Sequence, residues 1–349
     1  MMKKRFFVFL AALIVIVAFA SVGMAATTKG TIKFAHTEPA IDILSSPYLA
    51  LTNTFKEVVE AQTGGRFKVQ VFPAKQLGDL NDLLTQCQRG VIELTAGQNV
   101  SNLASVFPEV GVLEMPYAFP NTYVARTLLD GAYGDALNDR MAKASGVRPL
   151  VWLPSALRSF ANNVREIRTP EDMKGLKIRV MPAPMQIEMV KALGAQATPI
   201  AWAELYTALQ TNVVDGHEQA PYQLPMAKLD EVSKFYTIDN HVLNVMGLSI
   251  NEKFYQSLTP EDRRIFQLAA RQAQLAFLGI IQAKEPLDYE EMKKKGVQIY
   301  APTEEEIAQF KALAQPAAIK LFVDTPGIGQ AAVDELLDAL KKAEQAAYK

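Results

Sequence analysis

Phe67-Lys68-Val69-Gln70-Val71-Phe72-Pro73 is the stretch from which the fold can be read. Phe67, Val69 and Val71 alternate with Lys68, Gln70 and Phe72, which predicts a strand, and Pro73 ends it. Upstream, Thr31-Ile32-Lys33-Phe34-Ala35 alternates in the same way. Between the two, residues 48–61 carry Leu51, Phe55, Val58 and Val59 at helical spacing and stop at Gly64-Gly65. Downstream, 79–89 reads as a second helix closed by Gly90, and 91–95 as a third strand. Strand, helix, strand, helix, strand predicts an α/β fold with a parallel sheet and helical crossovers.

The same grammar continues along the chain. Residues 147–153 and 176–180 read as strands, 185–193 as a helix ended by Gly194, and 204–210 as a helix running into the strand-like Val213-Val214. A short internal repeat links the two parts. Leu84-Thr85 and Gln88, then Val91-Ile92-Glu93, recur 122 residues on as Tyr206-Thr207 and Gln210, then Val213-Val214-Asp215. Two similar lobes and shared α/β grammar both account for so few positions. Pro260-Glu261-Asp262 opens a helical pattern that runs to about Lys295, with Pro286 as the expected kink. A helix over about 261–295 spans roughly 45–50 Å, longer than one small domain, so it is expected to bridge both lobes. Two further amphipathic helices are predicted over 304–313 and 331–347. No low-complexity linker interrupts the chain, so crossing strands are expected to join the lobes. The division expected is lobe I over 27–155 plus 245–284, and lobe II over 156–244 plus 285–349.

Residues 1–26 stand outside this pattern. Lys3, Lys4 and Arg5 precede an uninterrupted apolar run over 6–20, and Ser21-Val22-Gly23-Met24-Ala25-Ala26 follows. That is the three-part form of a cleaved secretory signal peptide, with an uncleaved anchor helix as the competing reading. The expected location is the periplasm. Cleavage removes three basic residues and no acidic ones from a chain of net charge -1, which leaves -4. No basic field is available for nucleic acid. The single Cys87 excludes a disulfide framework and reads as core filler in a helix.

The chemistry of the chain is sparse. His36, His217 and His241 are the only histidines, none at a metal-ligand spacing from another, so no metal is expected. There is no glycine-rich phosphate loop and no Gly-x-Ser-x-Gly elbow, so no nucleotide cofactor or catalytic serine is expected. Glu57/Glu60 and Asp79/Asp82 read as helix-surface or helix-start charges. His217, with Asp215 and Glu218, is the best acid–base cluster, and polar lining is the stronger reading of it.

Arginine near strand ends stands out instead. Arg158 follows the strand 147–153 by a short turn, and Arg179 lies in Leu176-Lys177-Ile178-Arg179-Val180, just before Met181-Pro182. Ligands of open α/β sheets bind outside the carboxyl ends of the strands. A buried Arg there needs an anion, and its planar fork suits a carboxylate. A structural salt bridge to an acid of the other lobe is an equally good account. Trp202, Tyr206 and Tyr222 fall near the same strand ends, where an amphipathic ring walls a ligand or packs in a core.

The region 171–219 resembles the signature of the solute receptors of tripartite ATP-independent periplasmic (TRAP) transporters, the C4-dicarboxylate-binding-like family. It reads Glu171-Asp172-Met173-Lys174-Gly175-Leu176-Lys177-Ile178-Arg179-Val180, then Ala192-Leu193-Gly194-Ala195 and Thr198-Pro199. Glu204-Leu205-Tyr206-Thr207-Ala208-Leu209-Gln210-Thr211, Val213-Val214-Asp215-Gly216 and Glu218 complete it. Thr63-Gly64-Gly65, Phe72-Pro73-Ala74, Gln76-Leu77-Gly78-Asp79 and Leu113-Glu114-Met115-Pro116-Tyr117 extend the likeness over nearly the whole mature chain.

The resemblance implies a two-lobed receptor, not an enzyme. It would close on a small organic acid and deliver it to integral-membrane permease subunits. It implies Arg179 as the carboxylate anchor and Arg158, 21 residues earlier, as an auxiliary arginine. The family often has Phe in place of Trp202 and Asn in place of Gln219, and these departures imply an unusual acid, such as an aromatic or branched one. First-lobe ligand-facing loops match the stretches around His36–Glu38 and Gln98–Asn99. The rival expectations are an exported enzyme using His217 with Asp215, and a sensor serving a signalling partner.

Overall fold

The computed structural model describes residues 28–39, 42 and 46–348. The expected signal peptide, 1–26, lies outside the described residues.

The chain opens with β1 Gly30–Ala35, α1 Pro47–Gln62, β2 Phe67–Phe72, α2 Leu80–Arg89 and β3 Leu94–Asn99. The helices α3 Val100–Ala104, α4 Thr122–Leu129 and α5 Ala132–Ser145 lead into the long strand β4 Val147–Asn162. Then β5 Lys177–Val180, α6 Pro184–Ala192, β6 Gln196–Pro199, α7 Leu205–Gln210 and β7 Gly216–Gln219 repeat the opening order. They are followed by α8 Gln223–Met226 and a second long strand, β8 Phe235–Asn251. The chain closes with α9 Glu252–Ser257, α10 Pro260–Lys294, β9 Gln298–Tyr300, α11 Glu304–Asp324 and α12 Gly329–Ala347.

The strand order is β2-β1-β3-β8-β4-β7-β5-β6, with β9 also on β8. Read from either end, the order is the same: two parallel pairings, then an antiparallel step onto a long strand. The short sequence repeat falls on the α2–β3 and α7–β7 corners of the two halves. β4 and β8 pair antiparallel from Val147↔Asn251 to Asn162↔Phe235 and run through both halves. These are the crossing strands expected, and they make the two halves one hydrogen-bonded sheet.

The helix boundaries follow local chemistry. Pro47 and Pro260 stand in the first turns of α1 and α10, where a missing N–H costs nothing. Asp79 caps α2, accepting from the backbone N–H of Asn81 and Asp82, while Asp82 reaches back to the N–H of Asp79. Gly90 ends it in the left-handed conformation. The acid pairs thus do the helix-surface work expected of them. Glu60 accepts from the Val69 N–H and pairs with Lys68.

α10, about 50 Å long at 1.5 Å per residue, packs on α1, β4 and α8. Phe266, Ala269, Ala273 and Phe277 share a core with Phe34, Leu51, Phe55 and Phe67. Met292, near its far end, belongs to a different core with Leu205, Leu209 and Tyr236. One helix is therefore buried in two cores. Cys87 is fully buried, and Pro286 lies inside α10.

Four expectations need correction. The strand placed at 91–95 begins only at Leu94, because Val91 is exposed and residues 91–93 form a bend. Val213-Val214 is not strand: Asn212 takes a left-handed turn (φ 56°), and pairing resumes at Gly216. The helix predicted over 304–313 continues to Asp324, with Pro316 inside it. Arg158 does not follow a turn after 147–153. It lies within β4, because register shifts next to Pro149 and Pro154 absorb both prolines without ending the strand.

Candidate ligand-binding site

The parallel strands of both halves end at one cleft. β1 runs out into Thr37, β3 into Asn99, β5 into Met181 and β6 towards Trp202. Its volume is about 240 Å³, and its walls include Thr37, Lys75, Asn99, Asn102, Arg179 and Trp202. A second recess of about 210 Å³ shares Trp202 and Ala203 with it and adds Glu38, Leu205, Tyr206 and Met226. Trp202 and Ala203 thus border both.

Arg179 sits on β5 between Ile178 and Val180, both fully buried, and is itself 1% exposed. Its Nε donates to the Ile200 carbonyl at 2.8 Å, which orients the fork. Nη1 and Nη2 have no partner. Burial lowers the guanidinium to about 10; Glu218 opposes that shift and Arg158 adds to it. The group still carries its charge at neutral pH.

Arg158 is equally buried and is fully engaged. Its Nε donates to Glu218 Oε2, and Nη2 to the Glu218 Oε1 at 2.8 Å and carbonyl at 2.7 Å. Nη1 reaches Asn244 Oδ1 at 3.2 Å. Burial works against the Glu218 charge, but Arg158 and His241 outweigh it and hold the carboxyl at about 2. His241 donates towards Asp239 Oδ2 at 2.8 Å. Burial disfavours its charge, yet Asp239 and Glu218 raise the imidazole to about 9.

The remaining expected site residues distribute as follows. Arg179, Trp202 and Asn99 line the larger cleft, and Glu38 and Tyr206 the smaller recess. Asn99 Nδ2 reaches Met181 Sδ at 2.9 Å across the cleft. Gln98 is buried, its Nε2 tied to Thr95 Oγ1 and the Leu80 carbonyl, its Oε1 without a partner. Gln219 is buried with Oε1 likewise unpartnered. His36 stacks on Tyr48 with ring centroids 5.4 Å apart, neither nitrogen has a partner, and burial lowers it to about 4. Tyr222 is buried, its hydroxyl accepting from Asn244 Nδ2 at 3.1 Å. Tyr206 donates to Glu231 Oε2. Arg158 and Tyr222 therefore stand behind the cleft in a buried polar network.

The acid–base cluster does not assemble. His217 Nε2 meets Ser233 Oγ at 3.0 Å, Asp215 accepts from the Lys177 N–H, and Glu218 serves Arg158 and His241. Burial pushes His217 down to about 3.

Sequence reasoning missed Lys75, Asn81, Asn102 and Met181, all on the cleft wall. Gly97 explains the aim of the β3 end. It sits at a register shift between Ala96 and Gln98 with φ +99°, and a Cβ there would meet the Tyr48 hydroxyl at 3.1 Å. The lone glycine in a strand-like run was the available signal.

Among the described residues, no helix is long and apolar enough to cross a membrane. A solute-binding protein of Verminephrobacter eiseniae is 36% identical over 220 residues, which is 63% of this chain; the match spans 65% of that relative, just under two thirds of its length. The crystal structure of a TRAP periplasmic solute-binding protein of Ochrobactrum anthropi is similar at TM-score 0.82 and 31% identity, covering 91% of this chain and 97% of that one. The sugar acid binding protein of Advenella mimigardefordensis, solved with galactonate, is similar at TM-score 0.81 and 29% identity, covering 90% and 99%. The sequence pattern of the DctP family, bacterial extracellular solute-binding protein family 7, matches residues 34–324. That family consists of transport receptors and is not an enzyme family. With its two-lobed α/β fold and a match over most of its length, this chain belongs to bacterial extracellular solute-binding protein family 7.

Proposed function

We propose that this receptor holds a small organic acid with Arg179 as the carboxylate anchor, closes around it, and delivers it to the membrane subunits of a TRAP permease. One observation carries the reading: a guanidinium 1% exposed, on a cleft wall, whose Nη1 and Nη2 have no partner. An uncompensated buried charge is costly, and a carboxylate meets both nitrogens at once. The galactonate held by the Advenella relative is an acid of suitable kind.

Arg158 then acts behind the ligand, in the buried polar network that it shares with Glu218, Asn244 and Tyr222. Trp202 supplies apolar area, and closure excludes water, which strengthens each polar contact. The lobes close by bending in the crossing strands β4 and β8, near 155 and 245, around α10. The ligand favours the closed form only through contacts that the open form lacks. Export by the signal over 1–26 puts the mature chain in the periplasm.

The test is a melting-temperature screen of the mature protein against organic acids, with mass spectrometry of any co-purified ligand. At least one acid is expected to raise the midpoint saturably. No stabilisation by any carboxylate, or turnover of one, contradicts the reading.

A further inference from the structure

The two recesses differ in the charge they present. The larger holds Arg179, whose Nη1 and Nη2 have no partner. Its one acid, Asp79, is spent on capping α2. The smaller recess has no cationic side chain on its wall, and its one acid is Glu38. Among the described residues Glu38 forms no ion pair, and its carboxylate accepts one hydrogen bond, from Thr37 Oγ1 at 3.3 Å. Burial raises this carboxyl above the usual carboxylate range; the Thr37 hydrogen bond and the charge of Lys75 offset only part of that. Glu38 is thus the counterpart of Arg179, a charge on a recess wall that the protein leaves largely uncompensated.

The rest of the smaller recess sets which cation fits. Leu205, Met226 and Leu229 are apolar, and Trp202 and Tyr206 are aromatic. The Tyr206 hydroxyl is the only other side-chain oxygen on that wall, and it is tied to Glu231. A primary ammonium carries three N–H donors and would leave most of them unmade there. A methylated ammonium without N–H needs only a negative charge nearby and apolar or aromatic faces for its methyl groups. The recesses adjoin in both halves of the molecule. Thr37 lines the larger and Glu38, its chain neighbour, the smaller, while Trp202 and Ala203 border both.

We propose that the cleft takes a zwitterion: a carboxylate on Arg179, joined by an alkyl chain to a quaternary methylated ammonium that lies in the smaller recess against Glu38. The proposal deepens the receptor reading and rests on Arg179 as the anchor. Trp202, bordering both recesses, covers the chain between the two charges.

Calorimetric titration of the mature protein would compare trimethylammonio acids with neutral isosteres in which a tert-butyl group replaces the cation. The pairs are glycine betaine with 3,3-dimethylbutanoate, 4-(trimethylammonio)butanoate with 5,5-dimethylhexanoate, and 6-(trimethylammonio)hexanoate with 7,7-dimethyloctanoate. Shape and apolar area are nearly equal within a pair, so the ratio of affinities reads the charge alone. In the best pair the cation is expected to bind at least about tenfold tighter than its isostere, the worth of one charged partner or desolvated cation–π contact. Glu38→Gln should lower that ratio by about tenfold. A ratio near one in all three pairs overturns the proposal. So does tighter binding of 4-aminobutanoate, adipate or D-galactonate than of every trimethylammonio acid, and that result leaves the receptor reading standing. An undiminished ratio in folded Glu38→Gln also overturns it; if that variant does not fold, the wild-type pairs decide. If none of these acids binds, the proposal falls, and the receptor reading falls with it only when the broad screen of organic acids finds no ligand either.

Discussion

Arg158 and Arg179 lie on β4 and β5 with only β7 between them, and both are almost wholly buried. β7 serves them unequally. Glu218 turns to Arg158 and meets it through two nitrogens, while Arg179 feels that carboxylate only at a distance. One arginine is neutralised by the protein; the other has Nη1 and Nη2 without a partner. What a buried arginine is for is read from what neutralises it, and residue type and strand position do not decide that.

The contrast makes opposite demands on the two residues. Arg158→Leu should give the largest effect, a loss of about 3–5 kcal/mol of stability, because Glu218 is left buried without its cation. Urea unfolding of the ligand-free protein measures it, and a loss below about 1 kcal/mol breaks the contrast. The double variant Arg158→Leu with Glu218→Leu should regain most of that loss, since removing both charges leaves less to compensate. A simple sum of the two single losses would mean that the pair is not the source of the stability.

The smallest effect is a titration. NMR of the three imidazoles should find His241 protonated up to about pH 9, and His36 and His217 neutral down to about 4 and 3. The raised value means that the His241 contribution is complete below its unfolded pKa, near 6.5, and is lost as pH rises through 9. The lowered values of His36 and His217 act only below 6.5, where their contribution is lost as pH falls. The ligand-free melting temperature should therefore decline between pH 7.5 and 9. Three imidazoles titrating together near 6.5 would show that the network behind Arg158 is not formed.

The fold was legible because its signals are local. Alternation, helical spacing and the punctuation of Gly64-Gly65, Gly90 and Pro260 each act within a few residues, and the repeated order follows from them. The strand through Arg158 was not legible, because Pro149 and Pro154 read as stops and only the partner strand β8 absorbs them as irregularities. The site was legible in part. Arg179 could be placed at a strand end, but its freedom depends on Glu218 choosing Arg158, a matter of side-chain direction on β7. Asn102 and Lys75 carry no pattern of their own; they reach the cleft because α3 and the loop after β2 are folded there. The His217 cluster separates for the same reason: His217 and Glu218 are neighbours on β7 and face opposite sides, and Asp215 lies before the strand.

The most direct test of the contrast is Arg179→Lys, titrated calorimetrically with an acid that binds the wild type, beside a melt of the ligand-free variant. Lysine keeps the charge and loses the fork. Affinity should fall by about 30-fold or more, the lower end of the cost of truncating a buried charged partner, while the ligand-free midpoint stays level or rises. Wild-type affinity in the folded variant, or a lowered midpoint with affinity unchanged, would contradict the anchor and make Arg179 a structural residue like Arg158.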